Sequence, residues 1–273
     1  MPNRTVAVLG AGYVGLALAE ACRAAGDAAW AVRRSAGDGW LRGDVATGRV
    51  DGLPPRLDAL VLTIAPGGPG DDYAVTYVAG ARGALALARR HGARRLVYTS
   101  STGVYGRRDG AWVDERTPPE PAGPNDARLR EAEEELLAAA DVMVTVLRVA
   151  GIHGPGRDVL RRFAEPARLP RGGDYWVNLA HRDDIVAAIR HVLALEAPPT
   201  LLNCADGAPT LARDIATWLA ARRAGHPVDP ATLPFDPAVP LARSNQRVRI
   251  DALRATGWTP RVPSYRHADA DAR

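Results

Sequence analysis

Apolar runs of strand length recur along the chain at residues 5–9, 28–32, 59–64, 95–100, 142–149 and 201–205. Between them lie stretches rich in alanine, leucine and arginine whose apolar positions repeat at helical spacing, at 16–25, 73–91, 127–140, 185–195 and 211–224. The runs are nearly unbroken, as in strands covered on both faces. Strand alternating with helix therefore predicts an α/β fold of the Rossmann type, a doubly wound parallel sheet.

After Val149 the texture changes. Gly151, Gly154, Pro155, Gly156, Pro166, Pro170, Gly172 and Gly173 interrupt the pattern, and further prolines follow from Pro198 to Pro240. Such segments suit loops and short helices, so a small C-terminal lobe capping the substrate is expected. The division predicted is one unit over 1–265, with a core at about 1–149 plus 176–206, a lobe at about 150–175 and 207–265, and a frayed tail at 266–273. A length of 273 residues matches one large domain or two lobes on a shared core. At 47% hydrophobic and 24% charged residues, neither a disordered chain nor a fibre is a credible reading.

The net charge is +4, from 35 basic and 31 acidic residues, and the basic residues are scattered, which speaks against nucleic-acid binding. None of the basic residues is lysine. Schiff-base chemistry, a Walker A lysine and an ammonium of tunable pKa are thereby excluded, because arginine stays protonated. Cys22 and Cys204 are single residues in a predicted helix and strand, so both read as core and no metal site is expected. The N-terminus leads straight into a strand without a basic leader, and no apolar run reaches the ~20 residues of a membrane span. A cytoplasmic protein that touches no membrane is expected.

The first strand runs into Gly10-x-Gly12-x-x-Gly15, and a helix follows. In this context the glycines serve a tight turn, a close approach of backbone to pyrophosphate, and close packing of helix on strand. Tyr13, Val14 and Gly15 then present backbone N–H groups and the positive helix end to phosphate. An NAD site places a carboxylate after the second strand for the ribose 2′-hydroxyl; here Arg33 and Arg34 follow Val32. Two guanidinium groups favour a 2′-phosphate, and NADP(H) is expected in preference to NAD(H).

Several segments in order, Gly10 to Gly15, Tyr98 to Gly106, Val113 to Glu115, Leu147 to Arg157, Asn178 to Asp184 and Gly257-Trp258, carry a resemblance across nearly the whole chain. In them the chain resembles the short-chain dehydrogenase/reductase superfamily, in the atypical form of its extended, epimerase/dehydratase-like branch. Leu9 stands where that branch usually has its first glycine. The resemblance implies that the Ala65-Pro66-Gly67-Gly68 turn approaches the cofactor, that Asp44 reaches the adenine, and that Ser100 lies at the cofactor.

In this superfamily a serine, a tyrosine and a lysine do the chemistry. Ser101 matches the serine by its place before Val104-Tyr105-Gly106, while Asp126 and Arg130 fall at the tyrosine and lysine positions. The Tyr-x-x-x-Lys pair is absent, leaving Arg130 as a ribose ligand. Asp126, Tyr105 and His153 are the candidate acids or bases, each with a structural alternative: a first-turn helix acid, a packed phenol and a turn histidine. Tyr175, Trp176, Asn178, His181 and Arg182 are candidate pocket residues, and Asp183 and Asp184 candidate helix caps. The resemblance implies an NADP(H)-dependent oxidoreductase or epimerase/dehydratase-like enzyme on a small hydroxyl- or carbonyl-bearing metabolite, and it leaves a homodimer open. The alternatives are a non-catalytic NADP-binding sensor or scaffold and a non-redox isomerase or dehydratase.

Overall fold

The computed structural model describes residues 4–35, 37–67, 72–242 and 244–267. Gly68 of the expected cofactor turn and residues 268–273 of the expected tail lie outside the described residues. The central sheet is built from β1 (Thr5–Leu9), β2 (Ala28–Arg33), β3 (Leu41–Asp44), β4 (Arg49–Val50), β5 (Ala59–Leu62), β6 (Arg95–Ser101), β7 (Met143–Val149) and β8 (Leu201–Cys204). Its order is β8-β7-β6-β5-β1-β2-β3-β4, and all neighbours run parallel except β3 with β4.

Side chains of successive strand residues point to opposite faces, and β1 shows the consequence. Val6 and Val8 join a layer with Leu18 and Cys22 of helix α1 (Tyr13–Ala24). Ala7 and Leu9 join the opposite layer, with Leu85 and Leu87 of α2 (Gly80–Arg90) and Leu129 and Leu136 of α3 (Pro124–Leu137). Helix α4 (Arg182–Ala194) completes the first layer through Ile185 and Ile189. This is the doubly wound Rossmann-type sheet expected, with Cys22 and Cys204 buried in it.

Three elements depart from the sequence pattern. Strand β3 reads Leu-Arg-Gly-Asp, too polar and short to signal a strand, and it forms by pairing Leu41 with Val32 and Arg42 with Arg33. Helix α3 begins at Pro124, ahead of residue 127, because proline suits a first helical turn where no N–H is needed. The predicted helix 73–91 is π-helical over Ala74–Ala79 and becomes α-helical only at Gly80. Such wide turns recur at functional sites.

A smaller apolar cluster, including Leu160, Phe163, Tyr175 and Tyr265, gathers around helix α5 (Ala212–Ala224). The C-terminal segment is tied to the loop after β6. Gln246 donates through Nε2 to the Thr102 carbonyl (2.7 Å) and accepts from the Arg107 N–H (3.2 Å), so the chain just beyond Ser101 is held from behind. No described helix is long and apolar enough to cross a membrane.

Candidate active site

A cleft of about 810 Å³ runs along the C-terminal ends of β1, β2, β3, β5, β6 and β7. It opens where the chain leaves β1 and β5 in opposite directions, the switch point at which open α/β sheets bind ligands.

The glycine turn forms its floor. Gly10 has φ +102°, and a Cβ there would stand 2.8 Å from the Ile64 nitrogen. At Gly15 a Cβ would stand 2.2 Å from the Gly10 carbonyl oxygen, so these two glycines are required by the protein itself. Gly12 is different: it lines the cleft, its φ is −92°, and nothing lies within 4 Å of where its Cβ would be. The space it keeps open faces the cleft. Tyr13, Val14 and Gly15 open α1 with no acid in the first turn and no side-chain cap, leaving N–H groups and the positive helix end to an anion. The Thr63 hydroxyl donates to the Gly10 carbonyl (2.7 Å) and braces the turn. A nicotinamide dinucleotide fits this arrangement.

Arg33, Arg34 and Asp44 line the far end, and Ala65, Pro66 and Gly67 line the wall after β5. The Arg33 guanidinium stacks on the Trp40 indole, 5.2 Å from its centroid. Asp44 accepts from the Ala46 N–H (3.0 Å), which fixes the loop after β3. Arg157, quoted in the sequence only as part of a longer motif, also lines the cleft. Its guanidinium packs 5.6 Å from the ring centroid of Tyr13, whose hydroxyl donates to the Pro155 carbonyl (3.0 Å).

At the opposite end Ser100, Ser101, Leu129 and Tyr77 line the cleft. Ser101 Oγ accepts the Gly103 N–H (3.1 Å), leaving its own proton to donate. Asp126 stands on the same side: its Oδ1 and Ser101 Oγ lie 3.1 and 3.2 Å from where a Gly103 Cβ would be. Burial pushes the Asp126 carboxyl above the usual carboxylate range. Burial, then Tyr73 and Asp126, push the Tyr77 hydroxyl up to about 12.

Four expectations change. Arg130 does not reach the cleft, because one residue is 100° of helix: the turn that gives Leu129 to the cleft sends Arg130 outward, where it pairs with Glu134 (2.7 Å). Tyr105 is wholly buried under the sheet end, donating to Asn203 Oδ1 (2.8 Å) beneath the Arg148 guanidinium, so it is no acid at the mouth. His153 is buried against His181 outside the cleft lining; burial, then that neighbour, lower it to about 4. Ser100 reaches the lining, but its hydroxyl is engaged inward by Glu133 Oε1 (2.6 Å). Of the pocket candidates, Asn178 holds backbone, at the Gln246 carbonyl and the Val248 N–H, and His181 rather than Asp183 caps α4.

Glu133 joins Ser100 to Arg148 in a buried ion pair, with Arg148 Nη2 2.6 Å from Glu133 Oε2. The sequence carried a signal for it: Leu129, Ala132, Glu133 and Leu136 repeat at the spacing of one helix face, placing a carboxylate among apolar residues. Tyr77 had no such signal, since its turn is not α-helical.

Residues 6–205 match the model of the NAD dependent epimerase/dehydratase family. The Escherichia coli protein YeeZ is 32% identical over 217 residues, covering 71% of this chain and 74% of its own. The 2-alkyl-3-oxoalkanoate reductase of Stenotrophomonas maltophilia is 32% identical over 253 residues, covering 81% and 76%. The solved UDP-glucose 4-epimerase of Thermus thermophilus, in complex with NAD, shares the fold at a TM-score of 0.76 and 21% identity, over 96% of each chain. The matched stretch contains the glycine turn, the arginine rim, Ser101 and α3, so sequence and cleft describe one surface, and the chain belongs to the NAD dependent epimerase/dehydratase family of enzymes.

Proposed function

We propose that this protein is an NADP(H)-dependent oxidoreductase acting on a small carbonyl- or hydroxyl-bearing metabolite without a Tyr-x-x-x-Lys pair. The observation that carries the cofactor is the cleft floor: Gly12 leaves open a space that no protein atom needs, at the N-terminus of an uncapped helix. Arg33 and Arg34 at the far end, where no carboxylate closes β2, support the 2′-phosphate. When bound, the reduced nicotinamide supplies a hydrogen and two electrons to a carbonyl carbon. The chain's own part is to hold the pyrophosphate at α1 and to orient the substrate oxygen through Ser101. The reductase from Stenotrophomonas maltophilia, named for a 3-oxoalkanoate substrate, supports a small carbonyl compound for this chain as well.

The test is thermal unfolding with NADP⁺, NADPH, NAD⁺ and NADH at equal concentration. A ligand at a hundred times its Kd adds about 2.7 kcal/mol and moves the midpoint by a few degrees. The phosphorylated pair is expected to give the larger shift; equal shifts overturn the preference, and no shift from any of the four overturns cofactor binding. A second reading, a non-catalytic NADP-binding sensor, is favoured by Arg130, at the lysine position of the resemblance, which pairs with Glu134 outside the cleft lining. Its mark is a cofactor that binds and is never consumed.

A further inference from the structure

Two described tyrosines line the cleft, Tyr13 at the phosphate turn and Tyr77 at the chemical end. We propose that Tyr77 is the proton donor of this enzyme, delivered from the π-helical segment before α2 in place of a tyrosine from α3. This rests on the oxidoreductase reading above and adds to it a direction, carbonyl reduction.

Position is the first argument. The segment Ala74–Ala79 packs on α3, and Tyr77 shares the cleft lining with Ser100, Ser101 and Leu129. Leu129 gives the cleft an apolar wall at this end, which suits a neutral phenol. The wide turn is the second. One extra residue per turn changes the direction in which a side chain leaves the helix, and the change falls within the six residues that carry Tyr77. The third is the state of the hydroxyl. Among the described residues it takes no hydrogen bond, whereas Tyr105 and Tyr13 are each committed to a protein acceptor.

The chemistry follows from the same surroundings. Burial, then Tyr73 and Asp126, keep the phenol protonated at neutral pH, so it holds a proton to give to the far more basic alkoxide oxygen that reduction forms. Ser101, with its oxygen engaged by the Gly103 N–H, donates its proton to the substrate oxygen and orients it. As the carbonyl carbon gains hydrogen and two electrons, the oxygen becomes negative and takes the proton from Tyr77 Oη. Water entering the open cleft returns a proton to the phenolate. The balance is carbonyl, NADPH and one solvent proton giving alcohol and NADP⁺.

The test compares wild type, Tyr77→Phe and, as a control outside the cleft, Arg130→Ala. One readout is NADPH oxidation with a panel of aldehydes and ketones that includes acetoacetate. The other is NMR of tyrosine labelled at Cζ, with the Tyr77 resonance identified by its loss in Tyr77→Phe. Tyr77→Phe is expected to lower kcat by at least ~100-fold, with the Kd for NADP⁺ and the unfolding midpoint unchanged. The Tyr77 resonance is expected to remain that of a protonated phenol at pH 9 and to move when 3-hydroxybutyrate is added with NADP⁺. A resonance that does not move, together with Tyr77→Phe turnover within threefold of wild type, overturns the proposal and leaves the cofactor reading standing. Failure of wild type to bind any nicotinamide dinucleotide overturns both. Binding without reduction of any carbonyl overturns the proposal and returns the chain to the sensor reading.

Discussion

The cleft floor around Gly10–Gly15 is made of backbone, and the chemical end around Ser101 is made of side chains brought from separate elements. At the floor, three glycines within six residues set the turn, and each neighbour that matters is local or in the two residues just after β5. At the chemical end Ser101 comes from β6, Leu129 and Asp126 from α3, and Tyr77 from a segment nearly fifty residues earlier than α3. A backbone cradle needs little more than small residues and a helix end. Side-chain chemistry depends on the rotation of each helix, and a one-residue shift in α3 exchanges Leu129 for Arg130.

The sharpest way to break this comparison is to disturb the support beneath the chemical end. Glu133→Ala leaves Arg148 buried without its partner and frees the Ser100 hydroxyl. Breaking a buried pair costs about 3–5 kcal/mol, so a large fall in the denaturant midpoint is expected. Preserved stability would show that the pair is not shielded from water. Next comes Gly12→Asp at the floor. The side chain meets no protein atom and suits an N-cap, so the fold is expected to remain within about 0.5 kcal/mol of wild type. Filling the ligand's space is expected to weaken NADP⁺ by about 1–3 kcal/mol, roughly 5-fold to 150-fold in Kd by calorimetry. An unchanged Kd would place the pyrophosphate elsewhere.

A smaller effect separates the two ends of the cofactor itself. Replacing Arg33 and Arg34 together by alanine is expected to weaken NADP⁺ by about 1 kcal/mol, roughly fivefold, since both side chains are exposed to solvent. NAD⁺ affinity should not move, and equal losses for both cofactors would mean that the arginines read something other than the 2′-phosphate. The smallest effect at neutral pH concerns His153. Its folded value of about 4 lies below the ordinary ~6.5 of an unfolded histidine. Between those values the unfolded chain takes up a proton that the folded one refuses, so stability is lost as pH falls through that window and is full above it. His153→Gln is expected to flatten this acid limb in pH-dependent unfolding, with no change above pH 7 in the slope.

The sheet was legible because its strands are buried on both faces and read as largely apolar runs, unbroken in β5 and interrupted only by Thr145 and Arg148 in β7. The glycine turn was legible because its three glycines stand at fixed short spacing between an apolar run and a helical one, although Thr63 and Ile64, distant in sequence, also require Gly10. Strand β3 was not, since Leu41-Arg42-Gly43-Asp44, with a single apolar side chain, becomes a strand only when β2 offers its edge.

The site residues divide on the same physical line. Ser101 could be read from its place before Val104-Tyr105-Gly106, whereas for Tyr105 the sequence left a site acid and a packed phenol both open, and it is buried by Arg148 and Asn203, respectively 43 and 98 residues away. The sequence by itself determined what the local chain can settle: a parallel α/β sheet, a glycine-rich turn from strand to helix, an arginine pair after β2 and the exclusion of lysine chemistry. Only the tertiary structure decided which face of α3 meets the cleft, that His153 and Tyr105 are withdrawn from it, and that Tyr77 enters it. Helix rotation and burial arise from packing between distant segments, and no residue's own neighbours encode them.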